Sequence, residues 1–201
     1  MNKTLAHFIW IGNSSIPSTY MEYLNSFYKF HPNWTINIWN LKDVDSIISK
    51  SKFDFNKYTS FINRYNFIKY HILAEYGGWY IDLDILWKKS IDQIYTDKIK
   101  NKPFPDLFIP VRSYPRQKQV DIKTNDDMLI YSRQGLFYEL LEFIDKRTDL
   151  DLSKKYEPYG PISLSKWVHS TDYSRVYLYE SEIQQNGYYC HHIGNTGWKF
   201  N

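Results

Sequence analysis

Residues 76–86 read YGGWYIDLDIL, and this stretch decides the fold. Just before it, from Ser60 or Phe61 to Tyr76, the residues Phe61, Ile62, Tyr65, Ile68, Ile72, Leu73 and Tyr76 recur as one wide apolar stripe, which predicts a helix packed on a core. Gly77 and Gly78 stop that helix, because glycine accepts the left-handed backbone that a C-terminal cap requires. Trp79 to Leu83 follows at once and predicts a strand. A long helix, a glycine stop and a buried strand in direct succession are what an α/β protein is built from.

The same alternation continues outward in both directions. Residues 5–11 predict a buried strand, followed by a loop through Gly12, Asn13, Ser14, Ser15 and Pro17. Ser18 is placed to cap a helix with Met21, Leu24, Phe27 and Tyr28 at helical spacing, ended by His31, Pro32 and Asn33. Residues 34–39 predict a second strand and residues 43–48 a short helix. Further on, 106–111, 128–131 and 175–179 predict strands and 136–147 a helix. The expectation is an α/β fold with a mostly parallel central sheet flanked by helices.

A chain of 201 residues supplies one domain with a real core, so a single unit over 1–201 is expected, standing alone or as one part of a longer protein. Hydrophobic residues at 43% and charged residues at 23% exclude a disordered chain. The net charge of +3 comes from scattered lysines and arginines, unlike the dense basic face of a nucleic-acid binder, so no nucleic-acid partner is expected. Cys190 is the only cysteine, which rules out an intrachain disulfide and a multi-cysteine metal site and points to a reducing compartment. The apolar run from Phe8 to Ile11 is far shorter than a spanning helix of ~20 residues, so no membrane span and a cytoplasmic location are expected.

Asp82 and Asp84 carry the chemistry. Strand alternation would put both on the same side at the carboxyl end of a sheet strand, where α/β folds collect ligands. Two carboxylates held together repel unless protons or a cation neutralise them, and all-oxygen ligation suits Mg²⁺ or Mn²⁺. A cation there can bridge to a phosphorylated substrate and stabilise a departing diphosphate. A metal-dependent phosphohydrolase is the rival reading of the pair. Its haloacid-dehalogenase-type motif needs Thr or Val two residues after the second aspartate, and Asp84 is followed by Ile85 and Leu86.

Further segments carry a resemblance. HFIWIG (7–12), HPNWTINIW (31–39), NFIKYHILAEYGGWYIDLD (66–84), YGPISLS (159–165) and HHIGNTGW (191–198) resemble, in order, the motifs of the glycosyltransferases with the DXD sugar-binding motif. That group includes yeast-type initiating mannosyltransferases, bacterial capsular transferases and large clostridial glucosylating toxins. The resemblance implies a GT-A-type, Rossmann-like nucleotide-sugar-binding fold. It also implies metal-dependent transfer of a hexose or deoxyhexose from a nucleotide-diphosphate sugar to a glycan or protein-linked acceptor in glycan biosynthesis. A UDP-sugar is favoured over a GDP-sugar, with Mn²⁺ or Mg²⁺ as cofactor.

Carried over by position, the resemblance implies that the strand residues Phe8 and Ile9 adjoin the nucleotide, that Trp10 stacks on or near its base, and that Tyr80 lines the donor pocket. Asp82 and Asp84 approach ribose and metal. Thr196 and Trp198 belong to a C-terminal segment that folds over the donor, and His192, chosen over His191, completes the metal sphere. Where the family's helix shows Asp and Arg three residues apart, this chain has Asn66 and Lys69, which share a helix face. Asn66 can hydrogen-bond sugar hydroxyls without charge, and Lys69 offers a point charge in place of a planar fork. That departure keeps open a third reading, a degenerate domain that binds nucleotide sugar without catalysis. The family is a retaining one; inversion would need a carboxylate beside the acceptor, such as Asp127 in the Asn125–Asp126–Asp127 turn.

Overall fold

The computed structural model describes residues 3–12, 14–99, 103–116, 119–124, 129–151, 159–171, 176–180 and 187–193. In chain order the elements are β1 (Leu5–Ile9), α1 (Ser18–Phe30), β2 (Thr35–Trp39), α2 (Leu41–Lys50), a short 3-10 turn (Phe55–Lys57), α3 (Phe61–Tyr76), β3 (Gly78–Ile81) and β4 (Ile85–Trp87). There follow α4 (Ile91–Ile99), β5 (Leu107–Arg116), β6 (Gln119–Thr124), β7 (Leu129–Ser132), α5 (Leu136–Asp145), α6 (Pro161–Ser170), β8 (Val176–Glu180) and β9 (Cys190–His192).

The central sheet runs β2-β1-β3-β7-β5-β6, with β8 paired to β5. Strands β2, β1, β3, β5 and β8 point one way and β7 and β6 the other, which makes the sheet mostly parallel by direction. Both faces are buried, as sheets covered by helices require. Ala6, Phe8, Trp79, Ile81, Leu129 and Tyr131 pack on the side of α1. Ile9, Tyr80 and Ile130, the alternating residues of the same strands, pack on the side of α3, α5 and α6. The sequence is apolar on both strand phases, and a three-layer α/β/α arrangement is the way to bury both.

Helix α3 is the centre of its layer. Every residue from Tyr65 to Ala74 is buried, so its apolar stripe widens into an almost complete cylinder enclosed by sheet and neighbouring helices. Gly77 (φ +63°) and Gly78 (φ +86°) are left-handed. A Cβ on Gly77 would lie 2.5 Å from the Gln134 amide nitrogen, and one on Gly78 would lie 2.6 Å from the Leu5 carbonyl oxygen. Glycine is therefore needed here for space as well as for conformation. The buried His7 ring donates from Nε2 to the Gly77 carbonyl (2.8 Å) and accepts the Trp39 indole N–H at Nδ1 (3.1 Å), tying the turn to β1 and β2.

Several sequence expectations change. In α1 the buried residues are Tyr20, Leu24 and Phe27, while Met21 and Tyr28 are exposed, because the sheet meets a face rotated from the expected stripe. Ser18 is the first helical residue and Pro17 stands at the cap, without a side-chain capping bond. Helix α2 begins at Leu41, earlier than expected, on a capping box between Asn40 and Asp43. Helix α6, opened by the Gly160–Pro161 step, is not among the elements expected from the sequence. Among the described residues no helix is long and apolar enough to cross a membrane.

Candidate active site

Strand β3 ends at Ile81, so Asp82 and Asp84 do not share a strand face as alternation had suggested. Asp82 leaves the strand, Leu83 and Asp84 form a turn, and β4 begins at Ile85. The Leu83 side chain is buried in the core beside Ile81 and Ile85, and it pins the turn from below. The two carboxylates converge through the turn, not the pleat.

The third member arrives from the far end of the chain. β4 pairs antiparallel with β9, placing Ile85 opposite His192, and the Ile193 amide donates to the Asp84 carbonyl (2.9 Å). His192 Nε2 lies 3.2 Å from Asp84 Oδ1. One ligand atom each from Asp82, Asp84 and His192 lies within 4.8 Å of the others. Two hard oxygens and an imidazole nitrogen fit Mn²⁺ or Mg²⁺ with positions left over for diphosphate oxygens. The carboxylates are only 7% and 5% exposed, so their mutual charge lacks the screening water would give. His191, one residue away, is exposed and is not part of this cluster. His192→Ala is expected to weaken Mn²⁺ binding at least about tenfold in an EPR titration, and His191→Ala to leave it unchanged.

Beneath Asp82 lie two tyrosines. The fully buried Tyr80 donates its phenol hydrogen to Asp82 Oδ1, and the Tyr65 hydroxyl lies 2.8 Å from that of Tyr80. Burial first, and the nearby Asp82 charge second, raise both phenols well above the ordinary tyrosine range, so both remain protonated donors. Tyr80 thus supports the site from below. Tyr65 was legible only as part of the apolar stripe, since nothing in sequence ties residue 65 to residue 80.

Asn66 and Lys69 are both buried on α3. The Asn66 amide donates to the Tyr159 carbonyl (3.0 Å), anchoring α3 to the segment that opens α6. This bond uses an amide hydrogen and keeps the acceptor oxygen available, so the residue retains the hydrogen-bonding sense of a carboxylate while losing its charge. Lys69 Nζ sits 5.0 Å from the centroid of the Tyr80 ring.

Phe8 and Ile9 turn buried side chains to opposite faces of the sheet, so a ligand could meet these positions only through their backbone. Trp10 is 8% exposed, packs on Tyr20 at 5.8 Å, and donates its indole N–H to the Ser14 carbonyl (2.7 Å). Asp127, with Asn125 and Asp126, and Thr196 and Trp198 lie outside the described residues.

Solved structures share the architecture. The PaToxG glycosyltransferase superposes with a TM-score of 0.54 at 14% identity, covering 84% of this chain and 69% of that one. The galactosyltransferase LgtC, solved with donor and acceptor sugar analogues, gives 0.50 at 14% identity over 89% of this chain and 74% of that one. The chain thus shares the GT-A fold of these glycosyltransferases, with Asp82 and Asp84 just past the end of β3. Residues 17–100 match the family described as the glycosyltransferase sugar-binding region containing DXD motif. Inositol phosphoceramide mannosyltransferase 1 of Schizosaccharomyces pombe is 30% identical over 97 residues, which is 45% of this chain and 30% of that relative's length.

Proposed function

We propose that the chain is a metal-dependent glycosyltransferase that moves a hexose or deoxyhexose from a nucleotide-diphosphate sugar to a glycan or protein-linked acceptor. The convergence of Asp82, Asp84 and His192 within 4.8 Å carries this reading. Mn²⁺ or Mg²⁺ held there would supply positive charge against the departing diphosphate. Asp84 and His192 would supply the direct ligands. Asp82, with one oxygen engaged by Tyr80, would offer the other to cation or ribose. Asn66 offers an acceptor to a sugar hydroxyl, and Lys69 places a buried cation on the same helix face.

Hexose transfer is supported by the mannosyltransferase and galactosyltransferase names of the similar proteins. UDP is favoured by the resemblance of WIG and GGWYIDLD to the toxin-type motifs. Transfer with retention agrees with that resemblance and demands no strong base beside the acceptor. Calorimetry with UDP and with GDP, each with and without Mn²⁺, tests the proposal. Mn²⁺-dependent binding of UDP in preference to GDP is the expected result. Absence of binding to either nucleotide, or phosphate release from simple esters, would overturn it.

A further inference from the structure

The site has a support reaching back into the central helix, and its direction can be read from hydrogen-bonding rules. A phenol carries one hydrogen. Tyr80 gives its hydrogen to Asp82 Oδ1, so the contact with Tyr65 at 2.8 Å must run from Tyr65 to Tyr80. The order is Tyr65 O–H to Tyr80 O, then Tyr80 O–H to Asp82. Both rings are held by packing: Tyr80 is 0% exposed and Tyr65 7%, and they meet edge-on with centroids 6.5 Å apart. Tyr65 also lies stacked with Phe61 at 6.4 Å. A phenylalanine would pack here equally well, and a hydroxyl taken out of water is unfavourable unless it is hydrogen-bonded. The Tyr65 oxygen therefore has its use in the chain of bonds.

We propose that Tyr65 is a positioning residue that fixes the Asp82 carboxylate through Tyr80, a role resting on the donor-site reading above. With its lone pair engaged by Tyr65, the Tyr80 hydroxyl is restricted in rotation, and its hydrogen stays aimed at one carboxylate oxygen. The other oxygen is then presented in a fixed direction toward the cation and the nucleotide. A helix residue seventeen positions before the first aspartate of the motif would thus set the motif's geometry without touching a ligand, which is how outer partners of metal sites act.

The test is a double-mutant cycle on Tyr65→Phe and Tyr80→Phe, read by EPR titration of Mn²⁺ and by Mn²⁺-dependent nucleotide affinity in calorimetry. Tyr65→Phe is expected to weaken both about tenfold, with the circular-dichroism spectrum unchanged. In the Tyr80→Phe background the same substitution is expected to have no further effect, because the connection is already cut. Equal losses in both backgrounds would show a packing role, and wild-type affinity in Tyr65→Phe would show none; either overturns the proposal. Tyr65→Leu, which also lacks the hydroxyl, gives the same reading should the phenylalanine variant fold poorly. A wild-type protein that binds neither Mn²⁺ nor nucleotide would defeat the donor-site reading itself, an outcome distinct from a wild type that binds and a Tyr65→Phe that binds equally well.

Discussion

Asp84→Asn is expected to lower donor turnover in Mn²⁺ by about a thousandfold, the scale of losing a principal charge-stabilising group. Asparagine keeps the shape of the side chain and an oxygen for the His192 contact at 3.2 Å, yet a neutral amide is a poor ligand for a hard cation. Stability should move the other way. Asp82 and Asp84 are buried close together, so removing one charge relieves repulsion in the ion-free protein. In EDTA the variant's thermal midpoint is therefore expected at or above that of the wild type. Rates measured with a UDP-hexose, together with melts in EDTA, check both halves. Retention of a tenth or more of the activity would remove Asp84 from the mechanism.

Acid should unfold the protein steeply between pH 6.5 and about 4. Three histidines are buried and neutral, each with both ring nitrogens engaged. His7 donates to Gly77 and accepts from Trp39. His31 donates to the Phe27 carbonyl and accepts the Ile91 amide. His71 donates to the Phe67 carbonyl and accepts from Ser51. Burial depresses all three to about 4, outweighing the bonds to carbonyls, which act in the opposite direction.

The unfolded chain takes up these protons below pH 6.5 and the folded one does not. Stability is thus full above pH 6.5, falls as pH drops, and stops falling below about 4. Each histidine contributes a slope of about 1.4 kcal/mol per pH unit, and the three together lose roughly 10 kcal/mol, comparable with the whole stability of a domain. Urea unfolding at pH 7.5, 6 and 5 measures this. A midpoint at pH 5 within a tenth of that at pH 7.5 would refute it, and His71→Asn should flatten the slope by one histidine's share.

Much of this fold was legible because its signals are local. The stripe of α3, the glycine stop and the apolar run of β3 lie within 21 consecutive residues, Phe61 to Ile81, and helix and strand formed there near the expected bounds. What escaped depends on partners distant in sequence. The short strands β4 and β9 exist through each other, and neither three-residue segment carries a periodicity to be read. The face of α1 depends on how the sheet meets it, which is why Met21 and Tyr28 face outward. The Asp pair was legible as chemistry, but its geometry comes from a turn. Tyr65 was hidden because a helix stripe records which residues are buried and not what a buried hydroxyl touches.

The double glycine also bears on redesign. Replacing glycine by alanine is an ordinary way to stabilise a protein, since it narrows the freedom of the unfolded chain. At Gly77 and Gly78 that recipe reverses, because the new methyl groups would strike the backbones of Gln134 and Leu5. Gln134 follows β7 and Leu5 begins β1, the neighbours on either side of β3. A consensus or thermostabilising library that admits alanine here would wedge open both flanks of the strand that delivers Asp82, discarding stability and site together.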